Sequence, residues 1–89
     1  MSREYEPTPT QLKILNCLYF VEPFEHILAE TNLPKPILSD ELKTLLSNRL
    51  VAILKFDNLS NDWLETNFYD SDKLDSYAFR ATSAGLITS

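Results

Sequence analysis

The stretch Leu33–Val51, LPKPILSDELKTLLSNRLV, decides how this chain folds. Pro34 and Pro36 bracket a helix start, since proline fits the first helical turn and not later ones. Leu38, Leu42, Leu45 and Leu46 then recur at three- and four-residue spacing, which places them on one face of a helix over 35–48. Lys35, Pro36, Ser39, Asp40, Lys43 and Ser47 fall on its exposed side. From Leu50 the period changes. Leu50 to Phe56 is an apolar run rich in branched residues, which predicts a strand immediately after the helix.

Upstream, Asn32 suits a left-handed helix stop, with Leu33 as the apolar contact that closes such a stop. A short helix over 24–31 fits in front of it, with Phe24, Ile27 and Leu28 inward. The first helix opens at Thr8-Pro9-Thr10-Gln11, where Thr8 caps, Pro9 takes the first helical position and Gln11 completes a capping box. It is expected to run over 9–22, ending before Pro23. Leu12, Leu15 and Tyr19 lie on one stripe of that helix and Ile14, Leu18 and Val21 on another. This apolar arc is wider than one core contact requires. The joint between the second and third helices is tight enough for a helix-turn-helix.

Downstream, Asp57 to Asp62 reads as a turn, 63–69 as a second strand, 70–75 as a polar turn and 76–81 as a last strand. Thr82 caps a final helical stub over 83–88. Three helices followed by an antiparallel meander of two or three strands make an α+β domain spanning 1–89.

Eighty-nine residues suffice for one modest core. At 44% hydrophobic residues and a net charge of −5, the chain is too apolar to be disordered. A lone cysteine, Cys17, cannot form an internal disulfide. The polar, proline-broken start resembles no signal peptide, and no apolar run approaches membrane-spanning length. A cytoplasmic protein without a membrane partner is expected. The charge is unevenly spread: residues 1–34 and 56–89 are acidic, and only 35–55 are net positive, through Lys35, Lys43, Arg49 and Lys55 against Asp40 and Glu41.

Leu33, Leu38, Leu42, Leu45 and Leu50-Val51, followed later by Tyr77-Ala78-Phe79-Arg80-Ala81-Thr82-Ser83-Ala84-Gly85, resemble the winged helix-turn-helix family of small prokaryotic transcription regulators, the group of the multiple-antibiotic-resistance regulators. The first set matches the family's recognition-helix spacing, and the second its wing exit. The resemblance implies a DNA-binding regulator, a homodimer that docks two third helices into successive major grooves. Lys35, Ser39 and Lys43 would then read bases, and Arg49 and Lys55 would reach phosphates. Arg49 stands where the family carries glycine, and Asn48 is expected to take the left-handed turn in its place. The chain ends at Ser89, where larger members continue into a dimerisation helix, so a dimer is expected to use another surface.

The segment between the outer strands is about twice an ordinary hairpin wing, and it is acidic. It would be repelled by phosphates and favours a second reading, a protein-interaction module. That module would use Tyr19 and Phe20 of the first helix and Trp63, Phe68 and Tyr69 of the wing. The closely spaced Asp70, Asp72 and Asp75 lack the glycine bend and terminal glutamate of a cation loop, and read as solvated turn residues. Cys17 is expected as a small core side chain and His26 as an exposed residue of the second helix. Neither has metal-ligand spacing, no cofactor motif is present, and no catalytic motif points to an enzyme.

Overall fold

The computed structural model describes residues 5–88. Along the chain run α1 (Pro9–Leu15), β1 (Glu22–Pro23), α2 (Phe24–Thr31), α3 (Lys35–Ser47), β2 (Val51–Asp57), β3 (Asp62–Glu65), a 3-10 segment (Ser71–Ser76), β4 (Ala78–Ala81) and α4 (Ser83–Thr88). The four strands form one antiparallel sheet in the order β1-β4-β2-β3. The α+β class is as expected. The strand count is not, because the sequence pointed to two or three strands and passed over β1.

That strand exists because α1 is shorter than expected. The capping box at Thr8 and Gln11 forms as read, with Gln11 N–H donating to Thr8 Oγ1 at 3.2 Å and Thr8 N–H to Gln11 Oε1 at 3.1 Å. The helix then stops at Leu15 rather than running to residue 22. Its last turn tightens, with Cys17 and Leu18 N–H donating three residues back to Ile14 and Leu15. The chain then turns, so that Ile14, Leu15 and Leu18 are all fully buried. The Leu18 carbonyl accepts from Ala81 N–H at 2.9 Å, and Glu22 and Pro23 pair with Phe79 and Ala78. A straight helix to residue 22 would have left the β4 edge without these partners.

The core gathers α1, α2 and α3 on one face of the sheet. Ile14, Leu15, Leu18, Phe24, Ile27, Leu38, Leu42 and Leu45 pack there against Val51, Ile53, Phe79 and Ala81. Ile53 and Phe79 are register partners, as are Val51 and Ala81, so one face of β2–β4 is wholly apolar. Leu74 of the 3-10 segment joins the same core and is 2% exposed. The expected polar turn over 70–75 therefore conceals an anchor.

Two left-handed residues fix the ends of α2 and α3. Asn32 takes φ 56° after α2, as the sequence indicated. After α3 it is Arg49 that takes φ 59°, whereas Asn48 stays at φ −95°. The left-handed turn after α3 is thus taken by an arginine and not, as expected, by Asn48. Around that turn the two sequence motifs, more than thirty residues apart, meet. Thr82 Oγ1 donates to the Arg49 carbonyl at 2.7 Å, Thr82 N–H to the Leu50 carbonyl at 3.0 Å, and Gly85 N–H to Thr82 Oγ1 at 3.2 Å. A Cβ on Gly85 would lie 2.1 Å from the Leu50 carbonyl oxygen, so only glycine allows α4 this close.

Candidate functional site

Lys35, Ser39 and Lys43 recur every four residues along α3, so they form one gently drifting stripe. Lys35 and Lys43 are exposed and Ser39 is half-buried. Lys35 is engaged, because its Nζ donates to Asp75 Oδ2 at 2.9 Å. That hydrogen bond, with the attraction of the ammonium charge, holds the Asp75 carboxyl below its usual range. The burial of Leu74 brings Asp75 there, since it seats the 3-10 segment against α2 and α3. Asp40, exposed on α3, adds a second carboxylate near the stripe.

Arg49 is exposed just past the end of α3, and Lys55 is exposed on β2 opposite Leu64. Lys55 lies four residue steps along β2 from Val51, roughly 13 Å. The five basic candidates therefore do not share one compact patch: three lie along α3, one at its end and one out on the hairpin. Among the described residues, Arg49, Lys43 and Lys55 make no ion pair.

The aromatic candidates divide as well. Tyr19 and Phe20 belong to the loop after α1 rather than to the helix, and Phe20 is 77% exposed. They border a cleft of about 290 Å³ shared with Asn16, Cys17, Glu22, His26, Ile27 and Glu30. Cys17 is half-buried rather than a core residue, and its thiol bonds the Lys13 carbonyl at 3.4 Å. Burial pushes that thiol up, and the nearby Glu30 and Glu22 carboxylates add to the effect, so it is a poor nucleophile at neutral pH. His26, exposed as expected, places Nδ1 3.1 Å from Glu22 Oε1. Among the described residues no group of three or more His, Cys, Asp or Glu side chains is placed to hold a metal ion. No helix among them is long and apolar enough to cross a membrane.

On the segment between β2 and β4, Trp63 is half-buried edge-to-face against Phe56, with ring centroids 5.3 Å apart. Phe68 is 88% exposed. Tyr69 packs edge-to-face on Tyr77, whose hydroxyl accepts from Asp70 N–H at 3.0 Å. The segment therefore folds back only in part. A cleft of about 470 Å³, lined by Leu46, Arg49, Ala52, Asn67, Tyr69 and Thr82 among others, opens beside the start of β2.

Sequence reasoning missed two features of these surfaces. Gln11 is more than a capping residue: buried at 3% exposure, its Nε2 donates to Glu41 Oε1 at 2.8 Å and its Oε1 accepts from Tyr5 Oη at 2.6 Å. It thereby ties the N-terminal approach and α1 to α3. The Lys35–Asp75 pair spans forty residues. Its only sequence signal was Leu74, a lone apolar residue in an acidic turn.

Compared with protein-family models, curated proteins and solved structures, the chain matches none.

Proposed function

We propose that this chain is a winged-helix protein-interaction module, not an enzyme and not a reader of DNA. The winged-helix assignment is supported by the element order, by the left-handed turn at the family's glycine position and by the contact between the two motifs. The interaction reading rests chiefly on the Lys35–Asp75 pair. A regulator of this family would insert the start of α3 into the major groove, and there Asp75 neutralises the first basic side chain and adds carboxylate where phosphates would approach. Meanwhile large apolar side chains stand in solvent away from that stripe: Phe20, Leu59 and Phe68 are each more than three-quarters exposed.

The decisive experiment is capture of fragmented genomic DNA at low salt, with Lys43→Glu as control. The interaction reading expects no enrichment over the control. Reproducible fragments that are lost in Lys43→Glu and weakened by salt would overturn it. They would establish the second reading, a homodimeric regulator using Lys35, Ser39, Lys43, Arg49 and Lys55. One observation favours that second reading: Lys43 and Arg49 are exposed and make no ion pair among the described residues.

A further inference from the structure

Residues 55–76 carry six carboxylates, Asp57, Asp62, Glu65, Asp70, Asp72 and Asp75, against two cations, Lys55 and Lys73. Within this stretch the β2–β3 hairpin projects its own apolar side chains. Leu59 at the turn is 98% exposed, and Leu64 and Phe56 are 49% and 38% exposed. Asp57 and Asp62 are direct register partners at the last rung. Like charges facing each other across a strand pair are unfavourable, and a cation brought between them relieves the repulsion. Among the described residues neither carboxylate makes an ion pair, although Lys55 lies on the same face of the hairpin two residues before Asp57. Asp57 Oδ2 accepts from Ser60 N–H and from Ser60 Oγ, each at 2.8 Å, and Asp62 Oδ1 accepts from Trp63 N–H at 2.8 Å.

The outer edge of the hairpin is blocked to another strand at one point. Thr66 N–H bonds the Ile53 carbonyl at 3.1 Å, which fixes the pairing phase so that Trp63 and Glu65 turn their backbone groups outward. The Asp62 side chain already occupies the Trp63 N–H.

We infer that the tip of the β2–β3 hairpin is a docking surface for a partner protein that presents lysine or arginine side chains around an apolar contact, with Leu59 entering that contact and Asp57 and Asp62 receiving the cations. This rests on the interaction reading above and adds its partner chemistry. Charge complementarity selects the occupant. Nucleic acid and anionic lipid would be repelled, and a second copy meeting it tip to tip would set the same carboxylates against each other.

Trp63, the only tryptophan, reports on the site directly. The probe is a short soluble peptide of lysines and leucines, with a glutamate-leucine peptide of the same order as counter-probe, titrated against the full chain. The lysine peptide is expected to shift Trp63 emission to the blue and to move backbone amide resonances over 56–65, whereas the counter-probe does neither. Leu59→Ser should weaken the lysine peptide about tenfold, as should the Asp57→Asn/Asp62→Asn double variant, while Phe20→Ser should not. Leu59 is so exposed that its variant keeps the fold even if the double variant disturbs the turn. Unchanged affinity in Leu59→Ser, or equal binding of both peptides, overturns the inference. A dimer that Leu59→Ser dissociates would make the occupant a second copy and overturn it as well. Resonance shifts centred on Tyr19 and Phe20 would overturn the hairpin site while leaving the interaction reading intact. Specific DNA capture would remove the interaction reading itself.

Discussion

The clasp between α3 and α4 and the hairpin at the far end of β2 are both built on turns, yet they answer to different forces. At the clasp, Arg49, Leu50, Thr82 and Gly85 exchange backbone and hydroxyl hydrogen bonds over a fully apolar layer, and a single Cβ would not fit. At the hairpin, Asp57 accepts from Ser60 and Asp62 from Trp63 N–H, both locally, and Leu59 faces water. The lesson is that hydrogen bonds alone do not distinguish a structural turn from a presenting one. What lies beneath the turn does, because burial makes substitution costly where solvent leaves it free.

The largest expected contrast comes from deleting one aromatic ring from the buried layer beneath the clasp and one from the exposed segment after the hairpin. Phe79→Ala empties a fully buried site and should cost about 3–5 kcal/mol, a large share of the stability of a domain this size. Phe68→Ala should stay within about 0.5 kcal/mol of the parent. Urea unfolding of the two variants checks this, and comparable losses would erase the distinction. Next, Gly85→Ala should cost about 1–3 kcal/mol, because its Cβ meets the backbone oxygen of Leu50 and not a side chain that could swing away. A thermal midpoint equal to the parent's would mean that α4 is not held this closely.

Arg49→Gly sharpens the clasp in the opposite direction. A left-handed non-glycine residue is strained by about 1 kcal/mol, partly offset by glycine's greater freedom in the unfolded chain, so a gain of about 0.5 kcal/mol is expected. A loss would show that the arginine side chain holds the turn by contacts of its own.

The smallest effect concerns the exposed Lys35–Asp75 pair. Asp75 is held below its ordinary value of 3.8, first by the hydrogen bond from Lys35 and then by its charge. A carboxyl depressed in the folded state stabilises above its unfolded value, and that contribution is lost as pH falls through the folded value. The stability difference between the parent and Lys35→Met should therefore be constant above about pH 5, shrink as pH falls past 3.8, and be smaller at high salt. Unfolding midpoints across pH 2.5–7, a range spanning that value on both sides, test it; a difference independent of pH would detach Asp75 from Lys35.

The helices were legible because their signals are local. Thr8 and Gln11 cap, Asn32 stops, and the leucines of α3 repeat at helical spacing, so α2 and α3 sit where the pattern puts them. Local signals also misled. The apolar run from Leu12 to Val21 reads as helix throughout, but Leu18 supplies its carbonyl to Ala81 and Glu22–Pro23 supply an edge strand, neither visible from within the run. The left-handed turn fell to Arg49 rather than Asn48 for a similar reason: once Thr82 accepts the role of donor to the Arg49 carbonyl, the position of the turn is set by β4 and not by which neighbour adopts it most easily.

For the candidate surfaces the division is the same. Sequence alone determined that residues 35–55 carry the basic side chains, that the segment after β2 is acidic and that more aromatic surface exists than a core of this size can hide, since these follow from composition and short-range order. Only the tertiary structure decided that Leu74 is buried, that its burial sets Asp75 on Lys35, and that Leu59 rather than Trp63 stands fully in solvent. Packing pairs residues by position in space, and a contact across forty residues leaves no periodicity for the sequence to carry.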